Sequence, residues 1–513
     1  MSGLVAAAAV AALVVALVKW LRVVQREHYL GGSLLTMTRT WMRSAWWNRL
    51  LGLGPAVAAV AALAGLPIVP MTAIAAMAVA LFPLGLSVRG RTSPLAWTGR
   101  LRRLAVLAAV AIAAGVVAGR AIERAVEAEG RVTPNVFALA LFPLALEGAV
   151  AVAVPIERWL SQRFVTQATA TLARVGPTVV GITGSFGKTS TKAYVEQLVE
   201  GTRRVVASPA SFNNRLGLAR AVNEHLTNDA EVFVAEMGTY GPGEIAQLCR
   251  WVPPDVAVIT AIGPVHLERF GTEERILRAK SEILATAAAA VFNVDHPALA
   301  ALADETEGKR VWRCGTGEQA SDVRVVVREG TARLHVGERV IGETDGADVF
   351  AANLACAVAV ALQLGVDEAD VVERLRRLRS PAHRQTVAVG AGGFTIIDDT
   401  VNANPAGAAR ALGVLAEHGS DGARRVVVTP GMVELGPRQA AENEAFARHA
   451  AEVADDVVLV GRTNLASLRA GTAGGSASVI VVGTRQEAVE WVRTHLAAGD
   501  VVLYENDLPD HYP

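Results

Sequence analysis

The stretch VVGITGSFGKTS, residues 179–190, decides the fold that the sequence predicts. Its first half is β-branched and apolar, as in a buried strand, and a helical segment begins at Lys188. Gly184 and Gly187 let the connecting loop turn tightly and point its N–H groups inward. Three features then meet at one place: the helix N-terminus, the Lys188 charge and the Thr189 hydroxyl, which can ligate Mg²⁺. The stretch therefore predicts a phosphate-binding loop.

The spacing of this loop departs from the usual pattern G-x-x-x-x-G-K-[ST], because Ile182 stands where the first glycine belongs. The plain alternative is a glycine-rich turn with a chance lysine. Only five of the 49 basic residues are lysines, so arginine is used almost wherever a positive charge suffices. A lysine at this loop therefore favours phosphate binding. The loop residues that we expect to bind nucleotide are Gly184, Ser185, Phe186, Gly187, Lys188, Thr189 and Ser190.

Composition limits the class of protein. A chain of 513 residues should hold about three domains. Its formal net charge of zero argues against a nucleic-acid partner held by a broad basic field. The 52% hydrophobic content is high for a soluble enzyme, and the excess lies before residue 156. The three cysteines, Cys249, Cys314 and Cys356, form no CxxC, so they offer no metal-site spacing and suit a reducing cytosol.

Five apolar runs fill the first third of the chain. Each is near the roughly 20 residues that a membrane-spanning helix needs. The runs cover residues 4–24, 51–69, 71–88, 104–119 and 132–154. A cleaved signal peptide is the competing interpretation of the first run, but no charge precedes Lys19 and four more runs follow. The sequence therefore predicts a domain of about five transmembrane helices.

The charges between the runs predict their orientation. Residues 19–49 carry six basic side chains against Glu27 alone, and residues 89–103 carry five arginines with no acid. Residues 120–131 are balanced, with three of each sign. By the positive-inside tendency, the first two loops are cytoplasmic and the third is outside. Everything after residue 155 is then expected on the cytoplasmic side of the cell membrane, where ATP is available.

From residue 178 onward, strand-like and helix-like runs alternate, as in an α/β domain with a mostly parallel sheet. The strand EVFVAEM ends at Glu236, where a carboxylate close to a phosphate loop is placed to ligate Mg²⁺. The strand DVAVITAI is followed by Gly-Pro-Val-His266, a histidine that is either structural or functional. Lys280 lies in the helical run that comes next.

Several motifs together resemble the Mur ligase family. They occur in that family's order and spacing: TGSFGKTS, NNRLG, AEMGTYGPGEIAQL, TAIGPVHLERFG, RAKSEIL, the shorter PAHR, and DDTVNANP. The resemblance covers about residues 170–513, and it is greatest to the branch that joins D-alanyl-D-alanine to a UDP-N-acetylmuramoyl-tripeptide. Members of this branch carry a UDP-binding domain ahead of the ATPase domain, whereas this chain has the predicted membrane domain there.

The resemblance implies roles for individual residues. Lys188 and Thr189 would hold the ATP phosphates and Mg²⁺, and Glu236 and His266 would ligate the metal. Lys280 matches a family lysine that is often carbamylated, which would make it an anionic, metal-associated group. The alternative is a lysine that serves only as a charge partner for phosphate.

The resemblance also extends through the last third of the chain. Asn353 matches a nucleotide-contacting asparagine, although it could instead cap a helix. Arg384 would reach an ATP phosphate from the start of the third domain, and Asp399 would meet the ribose. Val401 stands where the branch usually has tyrosine, and the tail YENDLPDHYP lacks the usual basic end, so it is either a disordered end or a contact. A small antiparallel flap is expected near residues 323–340, and four more buried strands predict a Rossmann-like domain.

The sequence thus predicts a transmembrane helical domain (1–160), a central P-loop ATPase-like α/β domain (170–379) and a C-terminal Rossmann-like α/β domain (380–513). The function implied is a membrane-anchored, ATP-dependent amide ligase of cell-wall synthesis that joins an activated carboxylate to an amine. Its catalytic residues would be Lys188, His266, Lys280 and Arg384. The carboxylate donor could be lipid-linked or soluble. The rival functions are a polyglutamate-type capsule synthase and a non-catalytic ATP-binding membrane scaffold.

Overall fold

The computed structural model describes residues 2–90, 94–125, 134–209, 212–317, 321–345, 350–379, 385–390, 392–401, 403–419, 422–509 and 511–513. The chain divides into two compact units. The helical unit comprises Met1–Leu160, Gly461–Thr463 and Leu508–Pro513, and the α/β unit comprises Ser161–Val460 and Asn464–Asp507. The family-based division into three domains stays a prediction.

Six helices run through the first third of the chain, and each of the five predicted apolar runs lies on one of them. They are α1 (Ser2–Arg26), α2 (Ser33–Ser44), α3 (Trp46–Leu63), α4 (Ile68–Leu81), α5 (Gly99–Ala125) and α6 (Pro134–Val175). By length and composition, three segments among the described residues could cross a membrane: Gly3–Arg26, Gly99–Ala118 and Asn135–Val175. Three of the five predicted spanning helices are therefore long and apolar enough to cross a membrane, and the crossing itself stays a prediction.

Proline limits the length of α4, which is too short to cross a membrane, whereas α3 has 18 residues with Pro55 inside it. Pro67 precedes α4, and Pro83 follows its C-cap residue Phe82. The 14 residues of α4 extend for about 21 Å, against the roughly 30 Å of a bilayer's hydrocarbon core. The two helices α3 and α4 pack against each other as a pair.

The C-terminal tail belongs to the helical unit. His511 is buried; its Nε2 lies 3.0 Å from Oε1 of Glu27, and its carbonyl oxygen accepts a hydrogen bond from Nε1 of Trp41 at 2.9 Å. The Pro513 oxygen accepts a 2.7 Å hydrogen bond from the Thr463 hydroxyl. Of the two alternatives for the tail, the structure therefore shows a contact.

The first sheet of the α/β unit has nine strands in the order β2-β3-β1-β4-β5-β6-β7-β8-β9. Strands β2 to β7 pair in parallel, and β7, β8 and β9 pair antiparallel, which confirms the predicted flap. The strands are β1 (Thr178–Thr183), β2 (Val205–Ala207), β3 (Val232–Glu236), β4 (Val256–Ile259), β5 (Ala289–Asn293), β6 (Arg310–Gly315), β7 (Val323–Arg328), β8 (Thr331–Val336) and β9 (Arg339–Asp345).

The second sheet has six strands in the order β10-β11-β15-β12-β13-β14, and only β10 is antiparallel to its neighbour. The last strand of the chain, β15, is inserted between β11 and β12. The four strands predicted from sequence are β12 to β15, but the expectation that all four are buried is wrong for β14, which is largely exposed at the edge of the sheet. The strands are β10 (Thr386–Val389), β11 (Thr395–Asp399), β12 (Arg425–Thr429), β13 (Asp456–Val460), β14 (Ser478–Val482) and β15 (Val501–Glu505).

Helices cover the sheets and complete two cores around β1. Because side chains alternate along a strand, Val179 joins one core, whereas Val180 and Ile182 join the core that contains Tyr194. The helices are α7 (Lys188–Val199), α8 (Arg215–His225), α9 (Glu244–Cys249), α10 (Leu267–Phe270), α11 (Glu273–Ser281), α12 (Pro297–Glu305), α13 (Ala351–Gln363), α14 (Glu368–Leu375), α15 (Pro405–Glu417), α16 (Gln439–Val453), α17 (Leu465–Thr472) and α18 (Arg485–His495).

Candidate active site

The predicted phosphate loop connects the end of β1 to the start of α7. Gly187 is the N-cap of α7 and has a φ of 83°, a conformation that favours glycine. A Cβ at Gly187 would collide with the Asn353 side chain, and a Cβ at Gly184 would collide with the Thr260 hydroxyl. Both glycines are therefore required by close neighbours, and the strand–loop–helix reading of the sequence is confirmed.

The loop is held to the carboxyl end of the sheet by Ser185. Its backbone N–H donates to the carbonyl of Ala261 at 2.8 Å, and its hydroxyl donates to the carbonyl of Gly263 at 3.2 Å. Lys188 folds across the loop, with Nζ 2.7 Å from the Gly184 carbonyl oxygen and 3.3 Å from that of Ser185. The ammonium group therefore lies over the loop where a phosphate would bind.

Glu236 ends β3 beside the loop and is buried. Its Oε2 accepts a hydrogen bond from the Thr189 hydroxyl at 3.0 Å and lies 3.1 Å from Lys192 Nζ, and Oε1 accepts from Asn213 Nδ2 at 3.1 Å. Burial acts to raise the pKa of Glu236, but the Lys192 and Lys188 charges and these hydrogen bonds leave its pKa below the ordinary value. The carboxylate is therefore ionised. Lys192 was not predicted, although a scarce lysine four residues after Lys188 was a usable signal.

His266 follows β4 with a φ of 59°, in the left-handed region. Its Nδ1 forms a hydrogen bond with the carboxylate of Glu434, a residue that follows β12 in the second sheet. The centre of the His266 ring lies 5.0 Å from the centre of the Tyr240 ring. Arg269 Nη2 lies 3.7 Å from the same carboxylate. Glu434 was not predicted, because nothing local in its sequence marks it.

Among the residues that the structure describes, no three His, Cys, Asp or Glu side chains are grouped to hold a metal ion. The Thr189–Glu236 contact joins two of the predicted metal ligands. His266 contacts Glu434 instead, so its role as a ligand stays a prediction.

Lys280 lies on α11 and is fully enclosed by protein. Burial, and secondly the charge of Lys188, lower the pKa of Lys280 well below the ordinary value. A lowered pKa favours the neutral amine, which is the form that can react with carbon dioxide to give a carbamate. Carbamylation itself stays a prediction.

A cleft of about 190 Å³ opens beside the phosphate loop. It brings together residues from both sheets of the α/β unit, including five that were predicted to bind nucleotide: Phe186, Gly187, Ser190, Asn353 and Asp399. Arg384 lies outside the described residues. The polar and aromatic residues that line the cleft are Phe186, Ser190, Thr260, Asn293, Phe350, Asn353, Gln385, Asp399, Asn404 and Arg410.

Asn353 is the third residue of α13, whose N-cap is Phe350, so the helix-cap alternative is wrong. Its side chain lies against Gly187 of the phosphate loop. Asn353 therefore lies beside the phosphate loop, and its contact with nucleotide stays a prediction.

Several lining residues were missed by the sequence reasoning. Asn293 ends β5, and its Nδ2 donates to the Thr260 carbonyl at 3.0 Å. The Arg410 guanidinium lies 4.3 Å from the centre of the Phe350 ring. Asn293 could have been found from its place at a strand's carboxyl end, where α/β folds bind ligands. Arg410 could not, because its partner is distant in sequence.

The sequence of this chain matches two domains of a known protein family, in agreement with the geometry of the candidate active site. The Mur ligase middle domain matches residues 182–360, and the Mur ligase glutamate ligase domain matches residues 383–504, together more than half of the chain. The chain belongs to the Mur ligase family. The family predicted from the motifs is thereby confirmed.

Individual Mur ligases resemble the chain over about two thirds of its length. The UDP-N-acetylmuramoyl-tripeptide D-alanyl-D-alanine ligase of Mycobacterium leprae is 34% identical over 372 residues, which are 65% of this chain and 72% of that protein. Its counterpart in Mycobacterium tuberculosis strain H37Rv is 32% identical over 375 residues, 66% of this chain and 72% of that protein.

Solved structures of Mur ligases share the fold. MurF ligase from Thermotoga maritima, in complex with ADP, is 28% identical with a TM-score of 0.59, over 67% of this chain and 80% of that one. MurF from Acinetobacter baumannii is 26% identical with a TM-score of 0.58, over 67% and 77%. The predicted α/β fold is confirmed, and so is the enzyme class: this Mur ligase is an ATP-dependent amide ligase.

Proposed function

We propose that this Mur ligase is a membrane-anchored enzyme of cell-wall biosynthesis that activates a carboxylate as an acyl phosphate for attack by an amine. The observation that carries the proposal is the cleft in which the phosphate loop, Asn353 and Asp399 meet. The mycobacterial relatives are named as ligases of UDP-N-acetylmuramoyl-tripeptide and D-alanyl-D-alanine, which supports a peptide bond in the cell wall as the product.

In this proposal, ATP binds with its phosphates on the loop and its ribose and base in the cleft. The loop supplies inward N–H groups and the Lys188 charge, and Asn353 and Asp399 line the space beyond Gly187. Arg384 would add a second positive charge at the phosphates. The Thermotoga maritima relative was solved in complex with ADP, which supports an adenine nucleotide as the ligand of this chain.

Glu236 and Thr189 fit Mg²⁺, because this ion prefers oxygen ligands and the Glu236 carboxylate is ionised. They would hold the ion together with His266, and with Lys280 if that lysine is carbamylated. Bound there, Mg²⁺ would neutralise charge on the phosphates of ATP.

The proposed reaction has two steps. A donor carboxylate oxygen attacks the γ-phosphorus of ATP, the bond to the bridging oxygen breaks, and ADP leaves. The amine nitrogen of the acceptor then attacks the carbonyl carbon of the acyl phosphate, inorganic phosphate leaves, and the nitrogen loses a proton. Lys188 and Arg384 would stabilise the charge of the transferring phosphoryl group, and the second sheet would help to exclude water from the acyl phosphate.

The surface of the helical unit supports membrane anchoring. Large apolar side chains point away from the protein along α5, including Val106, Val110 and Val117. An odd number of membrane crossings, three or five, puts the N-terminus and the α/β unit on opposite sides of the membrane. With the loop charges as predicted, the N-terminus is then outside and the α/β unit is in the cytoplasm. The orientation predicted from the loop charges therefore does not depend on whether α3 and α4 cross.

The class of carboxylate donor is a second part of the proposal, and it rests on the proposed anchoring. The described residues before β1 form helices α1 to α6 and contribute no strand from which a UDP-binding α/β domain could be built. An anchored active site also raises the effective concentration of a donor held in the same membrane. We infer that the donor is lipid-linked, and a soluble UDP-linked donor is the alternative.

The test uses the full-length protein in lipid nanodiscs with ATP and candidate amines. Phosphate release and the ligated product are measured with a lipid-linked peptide and with the same peptide linked to UDP. We expect release to require both donor and amine, and kcat/KM to be at least tenfold higher for the lipid-linked donor. No release with any donor and amine would reject a ligase, and equal kcat/KM for both donors would reject the lipid-linked substrate alone.

A further inference from the structure

Two carboxyl groups lie side by side at the edge of the nucleotide cleft. Asp399 is the last residue of β11 and Glu505 the last residue of β15, and the two are register partners in a parallel pair. Their side chains therefore point to the same face of the sheet, from strands about 4.8 Å apart. Both are buried, with 8% of Asp399 and 1% of Glu505 exposed.

The two groups differ in their partners. Asp399 lines the cleft, accepts a hydrogen bond from Gln385 Nε2 at 3.2 Å, and interacts electrostatically with Arg410. Glu505 lies behind it, and neither of its buried oxygens has a hydrogen-bond donor among the described residues. An ionised carboxylate is very costly in such a place.

Two adjacent carboxyl groups cannot both ionise without cost, so their environments divide the charge between them. Burial, followed by the Asp399 charge, raises the pKa of Glu505 well above its ordinary value. Asp399 has an amide donor and an arginine charge to stabilise its anion, whereas Glu505 has neither. The proton of the pair therefore belongs on Glu505.

We propose that Glu505 is a positioning residue that stays protonated and donates a hydrogen bond to Asp399, which holds the Asp399 carboxylate toward the ribose hydroxyls of the bound nucleotide. The inference rests on the proposed function, since the ribose contact of Asp399 is part of it. Glu505 is not one of the described residues that line the cleft. Its effect on the nucleotide passes through Asp399.

The test compares three forms of the full-length protein: the parent, Glu505→Gln and Glu505→Leu. Glutamine is neutral and keeps an N–H donor, whereas leucine has a similar volume and no donor. We expect Glu505→Gln to bind ADP within about twofold of the parent and Glu505→Leu to bind about tenfold more weakly, because the lost hydrogen bond is to a charged group. The melting temperature of Glu505→Leu should not fall, since the leucine replaces a buried carboxyl that has no donor.

A second nucleotide separates positioning from a general loss of structure. We expect 2′,3′-dideoxy-ADP, which lacks the ribose hydroxyls, to bind the parent and Glu505→Leu equally. The inference would be overturned if Glu505→Leu and the parent bound ADP with equal affinity. It would also be overturned if Glu505→Gln bound ADP as weakly as Glu505→Leu, or if Glu505→Leu lost the same affinity for both nucleotides. Failure of the parent to bind ADP would instead overturn the proposed function and this inference with it.

Discussion

The two units of this Mur ligase distribute charged and apolar side chains in opposite ways. In the α/β unit, the apolar residues fill cores around the sheets, and buried charged side chains such as Lys192, Glu236 and Lys280 gather at the candidate active site. The helical unit has an apolar core as well, but many large apolar side chains also face outward, and the charged residues Arg22 and Glu27 are buried. A surface of the second kind suits lipid rather than water.

The buried charges also have different purposes in the two units. In the helical unit they close contacts between segments: Lys19 Nζ donates to the Ala80 carbonyl at 2.9 Å, and Glu27 pairs with His511 of the tail. In the α/β unit, Lys192 and Glu236 lie beside the phosphate loop, where they could act on a substrate. Burial of a charge therefore indicates chemistry only where a candidate ligand site adjoins it.

The largest expected effect is at Lys188, and it tests whether the charges of the α/β unit are functional. Lys188→Ala removes a charge from a loop rather than volume from a core, so we expect phosphate release to fall by about a thousandfold with an unchanged melting temperature. Lys309→Ala is the matched control, because Lys309 donates to the Ala287 carbonyl at 2.6 Å and precedes β6, at the amino end of the parallel strands rather than the carboxyl end where the phosphate loop lies. Release by Lys188→Ala within a few-fold of the parent would show that the loop does not bind the reacting phosphates.

The next effect is at Lys280, where the buried charge is expected to be a carbamate. Lys280→Ala should lose about 10- to 100-fold in activity, as expected for groups that support a metal site. Short carboxylic acids such as acetate should restore part of the activity, because their oxygens can replace those of the carbamate. Lys280→Met fills the same space and should not be rescued. Rescue by amines rather than acids would indicate a lysine that acts as a cation.

The smallest effect tests the helical unit, using a matched pair of exposed valines. Val110 on α5 is 60% exposed and Val389 on β10 is 76% exposed. If α5 spans a bilayer, Val110→Arg should weaken membrane insertion by about 2.5–3.5 kcal/mol. Val389→Arg should change stability by less than about 0.5 kcal/mol, because the valine faces water. The yield in the membrane fraction measures insertion of the Val110→Arg variant, and the melting temperature measures the stability of Val389→Arg. If neither substitution lowered its measured quantity, the helical unit would not differ from the α/β unit in having a lipid-facing surface.

The sequence by itself determined those features that depend on neighbouring residues. The loop of residues 179–190 was predictable because its apolar run, its glycines and Lys188 act within one strand–loop–helix unit. Glu236 was predictable because the carboxyl end of a strand beside a phosphate loop is a defined place in an α/β fold. The five apolar runs were predictable as helices, but the effect of prolines on the length of α4 was not recognised.

Only the tertiary structure decided which distant residues meet. Glu434 reaches His266 from the other sheet, and Arg410 reaches Phe350 in the same way. Glu505 stands beside Asp399 because the last strand of the chain is inserted between β11 and β12. Such pairs leave no local pattern in the sequence, since strand order is set by how the helices and sheets pack, and packing joins residues regardless of their separation along the chain.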